Sequence, residues 1–102
     1  MDRPVRLSLA ARRDLEGIVR YISFDNPQRA IAFGERLLAH AKALGQFPDR
    51  GRMVPEFADP GLREIIFRAY RLIYRINTHS DCIEVVRIWH AARGTPDPSP
   101  RS

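Results

Sequence analysis

Residues 67–94 read FRAYRLIYRINTHSDCIEVVRIWHAARG. Apolar and aromatic residues alternate here with charged ones, and a period of two is the spacing of a β-strand. The stretch predicts strands over Tyr70–Asn77 and Cys82–His90, joined by a tight turn at Thr78–Asp81. Leu62–Phe67 upstream predicts a third, joined by Arg68 and Ala69 alone. Connections this short make neighbouring strands antiparallel. Arginine recurs at 68, 71, 75, 87 and 93, and what those charges do on a sheet is the question the stretch poses.

Alternation assigns faces. Tyr70, Leu72, Tyr74 and Ile76 share one face; Arg71, Ile73 and Arg75 share the other. In the last strand both parities carry apolar groups, with Val85 and Trp89 on one side and Val86 and Ile88 on the other. A strand apolar on both sides is covered on both sides.

Outward from the stretch, the period lengthens. Val5, Leu7 and Leu9 form a short strand, and Ser8 is placed to cap the helix that follows. Ala11, Leu15, Ile18 and Ile22 recur at three and four residues, with Val19 and Tyr21 widening the stripe. Gly17 costs about 1 kcal/mol against alanine inside a helix, which suggests a close packing contact. Asp25 or Asn26 caps a second helix, with Pro27 in its first turn. That helix buries Ala30, Phe33 or Gly34, Leu37, Ala41 and Leu44, and Gly45 stops it. So short a link between helices makes an antiparallel hairpin.

FPDRGRMVPEFADPG, residues 47–61, reads as a connecting loop. The expected fold is therefore α+β, in the order β-α-α-β-β-β. The helical hairpin packs on one face of a small, mainly antiparallel sheet. The second face is left for a partner, a substrate, or the loop at 46–61.

A chain of 102 residues makes one domain. No apolar run approaches the roughly 20 residues needed to span a bilayer, and the N-terminal residues lack the pattern of a secretory signal. Cys82 has no second cysteine to pair with, so a reducing cytoplasm is the expected location. The formal net charge is +5, and sixteen of the 17 basic residues are arginine. That balance suggests an anionic partner, nucleic acid or an acidic protein segment. No metal-ligand spacing occurs, and neither metal nor cofactor is expected. Residues 95–102, TPDPSPRS, predict a disordered tail.

The order of elements carries a resemblance. DL…I..YI…NP..A across the two helices, FPDRGR after them, then LREIIFRAYRLIYRI and IEVVRIWHAARG, resemble the RelE/ParE superfamily, over residues 3 to 94. The resemblance implies a toxin domain at 1–94, of the plasmid-stabilisation kind. It also implies a cognate antitoxin with an acidic amphipathic C-terminal segment, a toxin–antitoxin hetero-oligomer, and growth arrest when the toxin is unopposed. RelE-like members cleave mRNA in the ribosomal A site; ParE-like members poison DNA gyrase.

Cleavage by 2′-OH attack needs a base, an acid for the leaving 5′ oxygen, and cations for the charged phosphorane. Carried over by position, Arg71 of AYRLIY matches the arginine of the nuclease pattern and Arg63 falls near a lysine position. His90 substitutes for a C-terminal tyrosine that this chain lacks, with Arg93 close by. Histidine as a residue type titrates near neutrality, whereas arginine stays protonated and makes a poor base. The nuclease set is thus incomplete, and the DRGRMVPEF loop and the helices look ParE-like. The ParE-like reading, gyrase inhibition without catalysis, leads. A RelE-like endoribonuclease and a non-toxic binding module are the alternatives.

Arg71, Arg75, Arg87 and Arg93 are the candidate target or anion contacts. Tyr21, Leu37, Ile73 and Trp89 are the candidate antitoxin contacts. Each has a bland counterpart. Arg71 and Arg75 fit a wet sheet face whose apolar surface their stems cover. Arg63 fits a pair with Glu64 or Glu56. Arg87, in an apolar strand, needs a partner or an open cleft. His90 fits a satisfied structural histidine.

Overall fold

The computed structural model describes residues 2–57, 59 and 61–93, with the side chain of Arg93 outside that description. The expected tail at 95–102 lies outside the described residues. Strand β1 spans Val5–Leu7 and helix α1 spans Leu9–Ser23. Ser8 makes the switch, its hydroxyl accepting the Ala11 N–H at 3.0 Å as an N-cap and donating to the Val86 carbonyl at 2.9 Å. Strand one is therefore shorter than expected, because Ser8 and Leu9 belong to the helix start. Asn26 caps α2 (Pro27–Lys42) by accepting the Arg29 N–H, with Pro27 in its first turn.

The two helices meet where a side chain is missing. Gly34 is buried, and a Cβ there would stand 3.3 Å from Val19 Cγ2. The close packing expected at Gly17 is not there: Gly17 is exposed and a Cβ would meet nothing within 4 Å. A single 3-10 turn, Ala43–Gly45, ends the hairpin.

The segment after it contains one further strand. Arg52–Met53, β2, pairs antiparallel with β3 (Leu62–Phe67). Two exposed residues carry no periodic signal, so this edge strand is not legible in the loop-like sequence. β3, β4 (Tyr70–Asn77) and β5 (Cys82–His90) form the antiparallel meander. β1 joins β5 in parallel, with Val5 opposite Ile83 and Leu7 opposite Val85. The sheet is mixed, in the order β1-β5-β4-β3-β2.

A β-bulge changes the faces of β5. Tyr74 stands opposite Val85 while its neighbour Ile73 stands opposite Arg87, so Val86 is the extra residue. One added residue reverses the alternation beyond it. Val85 and Ile88 therefore share the helix-side core with Leu37, Leu72, Tyr74 and Ile83. Val86 packs on the opposite face with Val54, Leu62 and Ile73. Trp89, opposite Arg71 in register, belongs to that second face as well. Strict alternation had put Trp89 with Val85 and Ile88 with Val86; the bulge corrects both.

Of the three covers proposed for the second face, the loop supplies one. Val54 is fully buried over Ile73, with Phe57 packed against the same cluster. Tyr74 pins the start of this strap. Its hydroxyl donates to the Pro48 carbonyl at 2.7 Å and accepts the Gly51 N–H at 2.9 Å. A Cβ on Gly51 would lie 2.6 Å from that hydroxyl, so only glycine fits.

Candidate functional site

Two regions bring the singled-out residues together, one on each face of the sheet. On the second face, Arg71 is buried rather than wet. Its Nε donates to Glu64 at 2.6 Å, and its two terminal nitrogens grip Glu56 at 2.6 and 2.7 Å. Glu64 also receives Arg52 Nε at 2.8 Å. The carboxylates hold the guanidinium pKa above its ordinary value, with hydrogen bonding to Glu56 the largest cause. The same contact pulls Glu56 down to about 2. Arg71 is thus a fastener between β4, β3 and the strap.

Arg63 does not pair with either glutamate, as the bland reading had it; its Nη1 donates to the Gly51 carbonyl at 2.8 Å. Arg87 finds the partner it needed in α1. It holds Asp14 through two hydrogen bonds of 2.8 and 3.0 Å and stacks over Trp89 at 4.9 Å. Asp14 also accepts the Ile88 N–H at 2.9 Å. Past the end of β1, α1 thereby closes the free edge of β5. Arg75 is exposed. Leu37 and Ile73, expected to touch an antitoxin, have no exposed surface. Both lie in core clusters, and only rearrangement would bring a partner to them. Trp89 is half-buried and Tyr21 is exposed.

On the helix face, α1 and the far ends of β4 and β5 enclose a groove of about 520 Å³. Arg13, Asp14, Gly17, Ile18, Tyr21, Tyr70, Ile88 and His90 line it. Gly17 keeps it open, since any side chain there would project into the space. Tyr70 stands edge-on to His90, centroids 5.2 Å apart, and Phe33 stands edge-on to Tyr70 at 5.7 Å. His90 Nδ1 accepts the Ala92 N–H at 3.1 Å, which fixes the ring.

Of the nuclease candidates, Arg71 is separated from Arg63 and His90 by the sheet. Arg63 is opposite Tyr74 and His90 opposite Tyr70, both on the helix face. Arg71 is opposite Ile66 and Trp89, on the other. The side chain of Arg93 lies outside the described residues. Among the described residues no three His, Cys, Asp or Glu are grouped to hold a metal ion, and no helix is long and apolar enough to cross a membrane.

The sequence model described as ParE toxin of type II toxin-antitoxin system, parDE, matches residues 5–94. The chain belongs to the ParE toxin family. Its match runs from β1 to just past β5, so every element above is part of the family's domain. Toxin RelE1 of Caulobacter vibrioides is 33% identical over 94 residues, covering 88% of this chain and 95% of that protein. Two solved structures share the fold. The chromosomal ParDE system from P. aeruginosa superposes with a TM-score of 0.71 at 21% identity, covering 86% of this chain and 95% of that one. The RelBE2 toxin–antitoxin complex from Mycobacterium tuberculosis superposes at 0.64 and 25% identity, covering 88% and 99%. This ParE-family chain is a type II toxin–antitoxin toxin, in line with the resemblance of its motifs.

Sequence reasoning missed Asp14, Gly17 and Tyr70 as groove residues, and Glu56 and Glu64 as the partners of Arg71. The glutamates had a signal. Glu64 shares a strand face with Leu62 and Ile66, a position where a carboxylate requires a cation nearby.

Proposed function

We propose that this toxin inhibits DNA gyrase without cutting RNA, and that an antitoxin with an acidic amphipathic C-terminal segment neutralises it. The observation that carries this reading is the separation of Arg71 from His90 by the sheet. A phosphorane needs its cations and its acid on one side, within hydrogen-bond reach of the same phosphate. Here Arg71 is turned to two carboxylates and His90 opens on the opposite face. The cation that matches the nuclease pattern is already neutralised within the chain.

The groove between α1 and the end of β5 suits the antitoxin. Tyr21, Ile18 and Tyr70 offer apolar surface, and Arg13 stands at the same opening. An amphipathic helix would place apolar side chains between the rings and its acidic face toward arginine, folding as it binds. ParDE and RelBE2 are toxin–antitoxin systems, which supports an antitoxin partner here.

A second reading has two observations in its favour. Arg13 and His90 both line the groove, so a cation and an imidazole open on the same space on the helix face. The 33% identity to a protein named RelE1 points the same way. The deciding experiment adds the purified chain to gyrase with supercoiled plasmid and, separately, to translating ribosomes. Accumulation of gyrase-cleaved DNA with intact mRNA is the expected outcome. Cleaved mRNA with unaffected gyrase reverses the assignment.

A further inference from the structure

Away from the groove, three arginines line one pocket, two of them without a carboxylate partner among the described residues. Arg29, Arg36 and Arg68 line a pocket of about 350 Å³ floored by Ala32 and Phe33. Positions 29, 32, 33 and 36 fall on one face of α2. Arg68 arrives from the β3–β4 turn, where it adopts φ 55, a left-handed conformation that glycine would hold with less strain. Its guanidinium lies 5.6 Å from the centre of the Phe67 ring. Among the described residues, neither Arg36 nor Arg68 pairs with a carboxylate. Arg29 approaches Asp25 at 3.6 Å, but both side chains are mostly exposed, and such a pair contributes little.

A second pocket of about 560 Å³ adjoins the first through Arg29 and Phe33. Tyr21, Ile22, Phe24 and Asp25 complete its lining. Phe24 is 83% exposed at the tip of the helical hairpin, where it packs little of its ring on the protein. Guanidinium groups held in a concave site beside an open aromatic ring suit a phosphodiester chain whose bases are free to stack.

We infer that these adjoining pockets form a single-stranded nucleic-acid site, with phosphates on Arg29, Arg36 and Arg68 and a base on Phe24. A duplex would leave the ring unused, because its bases are stacked inside. An acidic peptide fits less well, because its carboxylates could meet the arginines but it brings no flat base to stack on the exposed Phe24 ring. Asp25 can accept a hydrogen bond from an exocyclic base amine. The site is independent of the gyrase reading: a chain that never trapped gyrase would still bind here.

The test is fluorescence anisotropy with the full chain and labelled oligodeoxycytidine of about a dozen nucleotides, within the usual range of single-strand sites. Arg36→Ala combined with Arg68→Gly should weaken binding about tenfold or more. It should also flatten the salt dependence by about 1.4 in log–log slope, as two lost phosphate contacts require. Phe24→Ala should weaken the single strand several-fold, roughly as loss of one stacked base predicts. Arg12→Ala combined with Arg20→Ala removes equal charge from exposed positions of α1 and should change binding less than about twofold if the site is local. An equal loss in that control pair would mean bulk attraction and overturn the site. Duplex of the same length binding as tightly would overturn it too. So would a polyglutamate peptide that responds to the variants when the oligonucleotide does not. Thermal melting checks that each variant is folded. Arg36→Glu alone, at an exposed helix position, provides the same readout if the double variant is unstable.

Discussion

Arg71 Nε donates to Glu64 Oε1 across 2.6 Å, and the carboxylate that receives it has no exposed surface. The remaining arginine nitrogens hold Glu56, and the second oxygen of Glu64 takes Arg52. Charge alternates through four residues from three strands and the strap. Arg71→Ala would leave Glu64 buried with one partner fewer. We expect a loss of about 3–5 kcal/mol in urea unfolding, the range for breaking a buried pair. Arg75→Ala, exposed four residues along the same strand, should stay within about 0.5 kcal/mol. Equal effects at the two positions would mean that the network contributes nothing.

Acid should loosen the strap. Hydrogen bonding to Arg71 draws the Glu56 carboxyl from 4.5 down to about 2. Its folded value lies below its unfolded one, so ionised Glu56 stabilises the fold above about pH 4.5. That contribution fades as pH falls from there through about 2. Glu56→Gln should lower stability at neutral pH and lose less on acidification. Chemical denaturation at pH 7 and again between pH 4.5 and 2 measures both; parallel losses in the two proteins would count against the assignment.

Tyr74 ties the strap to the helix-side core. Tyr74→Phe keeps the ring but leaves the Pro48 carbonyl and the Gly51 N–H without the hydroxyl that serves both. A loss of about 1–3 kcal/mol is expected, as for unsatisfied buried groups. Limited proteolysis should cut faster within residues 48–57 in the variant. Unchanged cleavage there would show that Val54 and the Glu56 contact hold the strap unaided.

Gly17 offers a way to plug the groove. It is exposed, lines the groove and has open space where a side chain would begin. Gly17→Leu should raise helix stability by about 0.5–1 kcal/mol through propensity alone. If the antitoxin lies in this groove, its affinity should drop by roughly tenfold or more, about 1.4 kcal/mol. Titration calorimetry with the cognate antitoxin reads the drop. A more stable toxin that binds as before would move the antitoxin to another face.

Much of this architecture is legible locally. Ser8, Asn26 and Pro27 announce the helix starts through capping chemistry that depends on adjacent residues only. The two-residue Arg68–Ala69 turn and the Thr78–Asp81 turn announce antiparallel pairing. The candidate sites were harder. Ile73 and Leu37 look like partner surface in the sequence because an apolar residue at strand or helix spacing looks the same whether a strap, a helix or another protein covers it. Val54, in a stretch with no period, is what closes over Ile73.

The sequence by itself determined the order of the longer elements, the hairpin, the meander and the family, though not the edge strand β2, since each depends on spacing between near neighbours. Only the tertiary structure decided what the arginines do. Arg71 is a buried fastener because Glu64 comes from the adjacent strand and Glu56 from the strap. Arg87 is quiet because Asp14 reaches it from a helix more than seventy residues away in sequence. The Val86 bulge sets which face Trp89 and His90 occupy, and a single extra residue opposite Ile73 and Tyr74 is invisible until the strands are paired. Periodicity records which side of an element avoids water. Which charge meets which partner depends on registers and loop paths that no local spacing encodes.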